Sequence, residues 1–179
     1  MKADDPKPLQ DISEAYKELG DEDKALEYNQ QYMDKNPNAA PTDFMKLAEI
    51  YVNKAKKDPA KKIENIDKAI GVYAKLSEKY PTLKTFAKLQ EGNTAFQNEL
   101  DDKAIAAYTE VINELEAKQC DEDELSYLKT SYQYMGFIYT YDKQDFNTAK
   151  PYWDKLLKLD PQNKLANDAY EKAGLKPGE

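Results

Sequence analysis

One segment near the C-terminal end of the chain combines large, small and turn-forming residues at helical spacings. The full pattern is Tyr132-x2-Met135-Gly136-x2-Tyr139, followed by Ala149-x3-Trp153-x2-Leu156-x4-Pro161. This order of residue types is typical of a helix-turn-helix repeat. It predicts an array of helical hairpins that bury one face each against their neighbours, rather than one globular core.

Weaker copies of the pattern recur upstream. A small residue is expected where the two helices of a hairpin cross closely, an aromatic residue three positions later fills the wider space, and proline marks the turn into the next unit. The first-helix anchors are Ser13-x2-Tyr16, Ala48-x2-Tyr51, Gly92-x2-Ala95 and Gly136-x2-Tyr139. The second-helix anchors are Ala25, Ala69, Ala104 and Ala149, and the closing residues are Pro37, Pro81, Glu116 and Pro161.

These anchors resemble the tetratricopeptide repeat (TPR), and the resemblance covers almost the whole chain. It implies an all-α fold, a right-handed superhelical solenoid of about four TPR-like hairpins plus a C-terminal capping helix. We predict one domain over residues 1–179, with repeats at approximately 6–39, 40–81, 82–118 and 123–161 and the capping helix at 163–173. A fragment of a longer array is the alternative. The alanine anchors step by 44, 35 and 45 residues, against about 34 in the family.

The spacing also predicts the individual helices and their turns. They lie near 7–19, 22–35, 42–56, 60–79, 82–98, 102–118, 123–141, 146–159 and 163–173. Acidic residues at Asp21, Asp101, Asp102 and Asp145 are expected to cap second helices, because a carboxylate satisfies free amides at a helix start. In the final helix, Leu165, Ala169 and Ala173 form one apolar stripe that we expect to cover the last hairpin.

The composition disfavours several functional classes. The formal net charge is −8, which disfavours generic binding of nucleic acid. Every basic residue is a lysine, so the planar fork that binds phosphate or guanine in bidentate fashion is missing. Histidine, the commonest general base and metal ligand, is also absent. We therefore expect no enzyme activity, no cofactor, no metal and no nucleic-acid partner.

Two charged segments have simple structural interpretations. The acidic run Asp121–Glu124 beside Cys120 lacks the loop spacing of a calcium site and the ligands of a zinc site, so it favours a helix start. The lysine-rich loop could touch an acidic partner or a lipid headgroup, but a solvated loop is the simpler interpretation. Its lysines are Lys54, Lys56, Lys57, Lys61 and Lys62.

The sequence leaves the compartment open. No apolar stretch approaches the roughly 18 residues of a membrane-spanning helix, and the first residues lack the apolar core of a signal peptide. We expect no membrane insertion and a location in the cytoplasm or, for a processed fragment, the periplasm. The single Cys120 rules out an internal disulfide and decides nothing further.

The resemblance implies where a ligand would bind. In the tetratricopeptide family, ligands lie along the concave surface built by the first helices. Projected onto this chain, that surface predicts a peptide-binding groove of Met45, Glu49, Asn53, Phe86, Leu89, Asn93, Phe96, Gln97, Gln133, Phe137 and Tyr141. The aromatic rings would hold apolar side chains and the amides would bond the peptide backbone. The alternative is that Phe86, Leu89 and Phe96 are core residues.

The carboxylate clamp of one TPR subgroup is not present. Its Lys/Asn/Asn/Lys-type positions correspond here to Gln10, Glu14, Lys46 and Gln90.

The leading functional prediction is a non-catalytic scaffold that binds another protein or peptide. The alternative is a structural or self-association module that assembles or docks a larger protein.

Overall fold

A computed structural model describes residues 5–178, and within that range it has nine α-helices and no strand. The helices are α1 (Lys7–Glu18), α2 (Glu22–Lys35), α3 (Pro41–Lys57), α4 (Lys62–Lys79), α5 (Lys84–Gln97), α6 (Asp101–Glu116), α7 (Glu122–Phe137), α8 (Phe146–Leu159) and α9 (Lys164–Lys172). Short 3₁₀ turns at Pro59–Lys61 and Pro81–Leu83 precede α4 and α5, and a π-helical turn, Ile138–Asp142, follows α7. The all-α prediction is confirmed.

The helix boundaries follow from local capping. Asp21 begins α2 by accepting a hydrogen bond from the Lys24 amide at 3.1 Å, and Asp145 does the same for α8. At α6 the capping prediction is wrong. Leu100 occupies the capping position without a side-chain bond, and both Asp101 and Asp102 lie in the first turn. There they interact with the helix dipole instead of capping the helix.

The contacts divide the chain into two compact units, the first ending at Thr94 and the second beginning at Ala95, inside α5. In the first unit α1 packs on α2 and α3 packs on α4, and in the second α7 packs on both α6 and α8. The single-domain assignment, the repeat boundaries and the superhelical hand stay predictions. Residues 1–4, on which the signal-peptide expectation partly rests, lie outside the described residues, as does residue 179.

The first unit has its core where the anchor pattern predicts it. Ala25, Ala48 and Ala69 are fully buried, so the helices that carry them approach closely. Ser13 donates a hydrogen bond from its hydroxyl to the carbonyl oxygen of Ala25 at 2.7 Å. The small residue of α1 therefore meets the alanine of α2 directly, as expected for the two helices of one hairpin.

The second unit has a tighter crossing at Gly136. A Cβ placed on this glycine would lie 2.5 Å from the ring of Trp153, which is itself fully buried. Such a distance is far inside van der Waals contact, so only glycine fits. The indole N–H of Trp153 donates to the hydroxyl of Thr140 at 2.8 Å, which satisfies its only polar group.

The final helix packs on α7 and α8, as predicted for a capping helix. Its buried face differs from the predicted stripe. Ala166, Ala169 and Tyr170 are buried, whereas Leu165 is 37% exposed and Ala173 is also exposed. The predicted stripe was wrong at two of three positions because it gave no weight to Tyr170, whose ring packs edge-to-face on Phe146.

Candidate functional site

Four partly exposed aromatic rings touch one another on the surface of the second unit. We call Phe96, Tyr134, Phe137 and Tyr141 the aromatic run. The ring of Phe96 lies 4.5 Å from that of Tyr134 and 5.5 Å from that of Phe137, and Phe137 lies 4.8 Å from Tyr141, measured between centroids. Beneath them, the buried Tyr108 stacks on Tyr134 at 5.6 Å. These distances are those of favourable aromatic pairs.

A π-helical turn after α7 determines the position of Tyr141, the last ring of the aromatic run. The amide of Lys143 donates to the carbonyl of Ile138 at 2.9 Å, five residues back, and the amide of Asp145 donates to the carbonyl of Tyr139 at 2.7 Å. A π turn holds one more residue than an α turn, so it changes the direction of the side chains beyond it. The turn is anchored by the bond from Trp153 to Thr140. Tyr141 and Asp142 owe their positions to it.

A recess of about 430 Å³ opens beside the aromatic run. Phe96 and Phe137 form its apolar part, and Glu99, Asp101 and Asp142 supply carboxylates. Partial desolvation of the Asp142 carboxyl and the nearby charge of Asp101 raise the pKa of Asp142, while Lys143 opposes the rise. The recess therefore combines apolar walls with negative charge.

A lysine of the same unit already lies on one of these rings. The ammonium of Lys172, at the end of α9, is 4.8 Å from the ring centroid of Tyr141. A cation at that distance over a ring face is attracted by the ring quadrupole. The aromatic run can therefore accept a positive charge as well as an apolar group.

The first-helix face of the first unit is closed by polar contacts. Glu14 of α1 pairs with Lys46 of α3 at 2.8 Å, and Lys17 of α1 pairs with Glu49 of α3 at 3.0 Å. Partial burial disfavours the charge on Glu14, but its hydrogen bonds and charge interactions with Lys46 and Lys17 outweigh that effect and lower its pKa. The same contacts with Glu49 and Glu14 raise the pKa of Lys17 against its own partial burial.

A buried carboxylate extends this polar lattice. Asp43, which is 5% exposed, accepts hydrogen bonds from the amide of Gln10 at 2.7 Å and from the hydroxyl of Tyr32 at 2.9 Å. It also accepts from the backbone amide of Ala40 at 2.8 Å. Because donors from α1, α2 and the start of α3 converge on one carboxylate, the network fixes the arrangement of these three helices.

The predicted groove residues of the first unit do not form an open binding surface. Leu89 is only 5% exposed, so its assignment to the groove is corrected and it is a core residue. Met45 and Phe86 pack against the core of the unit and are partly buried. Glu49 is held by Lys17. The last two, Asn53 and Asn93, are partly exposed, and their binding role stays a prediction.

The predicted residues of the second unit lie closer to one site. Phe96, Phe137 and Tyr141 are brought into one aromatic run. Gln97 is exposed, and Gln133 accepts a hydrogen bond from Asn163 at 3.3 Å. Sequence reasoning missed Tyr134 and the three carboxylates of the recess. Tyr134 occupies one of the unspecified positions between Tyr132 and Met135 of the repeat motif. Glu99 follows α5 and Asp142 lies in the π-helical turn, whereas Asp101, which begins α6, was predicted only as a helix cap.

The two charged segments behave as helix ends and paired surface groups. Asp121 and Glu124 form a reciprocal capping box at the start of α7, which is the predicted helix start. The segment predicted as a lysine-rich loop is instead partly helical, since Lys54, Lys56 and Lys57 lie at the end of α3 and Lys62 begins α4. Lys54 pairs with Asp23 and Lys57 with Glu22. The adjoining recess of about 460 Å³ is lined by both lysines and carboxylates, so its charge is mixed.

Cys120, the potential metal ligands and the apolar content of the helices are further features that bear on function. Partial burial and the nearby Glu124 raise the pKa of Cys120, which disfavours the reactive thiolate. Within residues 5–178, no group of three or more potential ligand side chains is arranged to hold a metal ion. In the same range, no helix is both long and apolar enough to cross a membrane.

Comparison with known proteins gives a fold and no sequence family. No family model matches the chain, and no curated protein sequence matches it. Among solved structures, the chain is similar to the human IFIT1 dimer with PPP-AAAA, at a TM-score of 0.60 and 16% identity. A monomeric IFIT1 mutant with Gppp-AAAA gives the same values. In both, the match covers 92% of this chain but only 36% of IFIT1.

A third solved structure is a C-terminal part of a TPR repeat-containing protein from Cytophaga hutchinsonii. It matches at 17% identity over 94% of this chain and 88% of that one, with a TM-score of 0.29 that carries no weight. The likeness to IFIT1 shows a helical-repeat fold of the TPR type. At this identity it shows the fold alone, and membership of the TPR family stays a proposal.

These structures correct one prediction. We expected no nucleic-acid partner, but IFIT1, which shares the fold, is solved with capped or triphosphate RNA. The exclusion was wrong because net charge is an average over the whole chain, whereas a repeat scaffold binds with one face. Lysine also contacts phosphate as a point charge without the fork of arginine. Neither composition argument excludes RNA.

Proposed function

We propose that the chain is a non-catalytic scaffold that binds a protein or peptide partner, and that the aromatic run of the second unit makes the contact. The observation that carries this proposal is the continuous set of four partly exposed rings on one surface. Membership of the TPR family belongs to the same proposal, supported by the buried small-residue anchors. The absence of histidine from the sequence supports the non-catalytic role.

The rings are suited to bind side chains of a partner. Aromatic residues dominate the binding energy of protein interfaces because they bury a large area with few rotatable bonds. The rings of Phe96 and Phe137 meet edge-to-face and leave a recess beside them, so a partner side chain can be desolvated on more than one side. A flat patch would not provide that enclosure.

Selection of peptides from a displayed library on the intact chain, followed by calorimetry, tests the proposal. The selected peptide should bind the natural chain, and Phe137→Ala should weaken it at least tenfold, roughly the effect of removing an interface anchor. Tyr16→Ala is the matched control, since Tyr16 is a partly buried ring that stacks on Tyr28 in the first unit. Equal loss in both variants, or none in either, would count against the aromatic run.

Self-association is the second candidate, and a separate observation favours it. Leu19 is 78% exposed and Ile63 is 59% exposed, both in the first unit. Large apolar side chains at such exposure often mark contact surfaces. Sedimentation of the intact chain should show a concentration-dependent dimer that Leu19→Glu abolishes. A monomer at all concentrations would remove this candidate and leave peptide binding.

A further inference from the structure

The recess beside the aromatic run has a definite chemical character. Its described lining consists of two phenyl rings and three carboxylates, with no lysine among them. Two cations, Lys103 and Lys143, lie next to it, in an adjoining recess that shares Glu99 and Asp101. Lys143 bonds to Asp102 at 3.0 Å and lies 3.8 Å from Asp101. The two rings and the carboxylates of Glu99, Asp101 and Asp142 thus face the same volume of about 430 Å³.

The negative charge of the chain is concentrated in the unit that holds this recess. Residues 95–179 contain 17 carboxylate side chains and 10 lysines, a formal charge of −7. Residues 1–94 contain 17 carboxylates and 16 lysines, a formal charge of −1. A field of this sign attracts cations and raises their local concentration at a cleft.

The unit itself shows how the aromatic run receives a cation. Lys172 lies with its ammonium 4.8 Å from the Tyr141 ring centroid. The neighbouring rings of Phe96 and Phe137 have the same π-faces, and they stand beside carboxylates. A long basic side chain could lay its aliphatic stem on the rings and direct its charged end to the carboxylates, as such side chains do on apolar surfaces.

We propose that this recess binds the arginine or lysine side chain of a basic peptide segment. The proposal rests on the proposed function and adds the chemistry of the partner to it. The rings bury the stem of the side chain, while Glu99, Asp101 and Asp142 pair with its cationic group. An arginine is favoured over a lysine, since a guanidinium both stacks on rings and forms two bonds to a carboxylate.

Two synthetic peptides test the proposal on the intact chain. One alternates leucine and arginine, and the other replaces each arginine by citrulline, which keeps the shape and removes the charge. We expect the arginine peptide to bind about tenfold more tightly, the order of a desolvated cation–π contact with paired carboxylates. Fluorescence anisotropy at constant salt measures both affinities.

Two variants locate the effect. Asp101→Asn combined with Asp142→Asn should weaken the arginine peptide about tenfold and leave the citrulline peptide unchanged. Asp168→Asn is the single-charge control, since Asp168 is exposed on α9 and does not line the recess. Asp101 also interacts with the dipole of α6 and lies 3.8 Å from Lys143, so thermal unfolding followed by circular dichroism checks that the double variant is folded at the temperature of the binding measurement.

The possible results separate this inference from the proposed function. Equal affinity for both peptides, lost in Phe137→Ala, would overturn the cationic recess but keep a peptide-binding aromatic run. Failure of both peptides to bind would overturn the inference. Binding of a 5′-triphosphate tetra-adenylate that is lost in Phe137→Ala, without peptide binding, would replace the proposed function with RNA binding.

Discussion

The two units carry different chemistry at positions that the repeat pattern makes equivalent. When Ala48 of α3 is aligned in sequence with Gly136 of α7, Lys46 corresponds to Tyr134, Glu49 to Phe137 and Asn53 to Tyr141. In the first unit these positions are occupied by charged or amide groups, two of which pair with residues of α1. In the second they carry rings of the aromatic run.

This difference shows which part of the sequence determines the fold and which part determines the surface. The buried anchors are small in both units, since close helix crossing requires it, whereas the residues between them vary freely. In the first unit these positions are held by ion pairs between α1 and α3, whereas in the second they form a partly exposed set of rings. Function in such a scaffold is decided by the residues between the anchors.

The largest effect on stability is expected when alanine replaces the anchor Gly136 of the second unit, and Gly71 of the first unit is the comparison. A methyl group on Gly136 would lie 2.5 Å from Trp153, whereas one on Gly71 meets nothing within 4 Å. Gly136→Ala should lower the free energy of unfolding by about 3 kcal/mol through overpacking. Gly71→Ala should raise it by roughly 0.5–1 kcal/mol because alanine favours a helix interior. Urea unfolding measures both.

The single tryptophan makes this comparison specific to one unit. Trp153 lies in the second unit, so its fluorescence follows that unit, while far-ultraviolet circular dichroism follows all helices. In Gly136→Ala the fluorescence transition should move to lower urea. If both variants change stability equally, the close crossing at Gly136 has been misjudged.

A smaller loss is expected from the buried carboxylate of the first unit. Asp43→Asn should lower the unfolding free energy by about 1–3 kcal/mol, since an amide replaces one acceptor oxygen by a donor and leaves a buried partner unsatisfied. The affected donors are those of Gln10, Tyr32 and Ala40. Asp34→Asn, at an exposed position of α2, is the control and should stay within about 0.5 kcal/mol. A similar effect of both variants would mean that the network contributes no stability.

The fold could be predicted from the sequence because its signals are local and repeated. Small residues at crossings, capping carboxylates and prolines each act within a few positions, and the predicted anchors Ala48, Ala69 and Ala149 are fully buried. In the third repeat Ala95 stands where the other first helices have an aromatic anchor, and there Leu89 was assigned to the groove although it is buried. Without an aromatic residue at position 95, the anchor pattern does not determine the register of this repeat.

The site was only partly predictable because it depends on contacts that no repeat describes. Three of its rings were predicted, since first-helix positions follow from the anchors. The π-helical turn at Ile138–Asp142 was not predicted. The sequence there continues a helical pattern, but the Lys143 amide bonds to a carbonyl five residues back instead of four. Asp142 and Glu99 reach the recess from turns, where side-chain direction depends on backbone geometry and not on helical spacing.

A change of pH sharpens the comparison at the recess. As pH falls through the raised pKa of Asp142, its carboxylate becomes protonated and can no longer pair with a cation. Affinity for the arginine peptide should therefore fall about fivefold on acidification, with a midpoint above the ordinary aspartate pKa of 3.8. Glu99 and Asp101 line the same recess, and Lys143 stands next to it. In Asp142→Asn the affinity for the arginine peptide should no longer fall over this pH range. An unchanged dependence of affinity on pH in that variant would show that Asp142 does not contribute to the site.

The smallest effect is expected from the ion pairs of the first unit. Glu14 and Lys46 are each about one-third exposed, so Glu14→Gln should cost only about 0.5 kcal/mol in dilute buffer. The folded-state pKa of Glu14 is lowered, so its contribution is present above the unfolded pKa and is lost as pH falls through the folded one. In roughly 1 M salt the difference from the natural chain should vanish, because charges are then screened within about 3 Å. Phe137→Leu in the second unit should show no such salt dependence, since ring packing involves no charge. If the Glu14 variant keeps its full deficit in salt, the surface of the first unit is held by packing, as that of the second is, and the contrast between them lies only in what each leaves exposed.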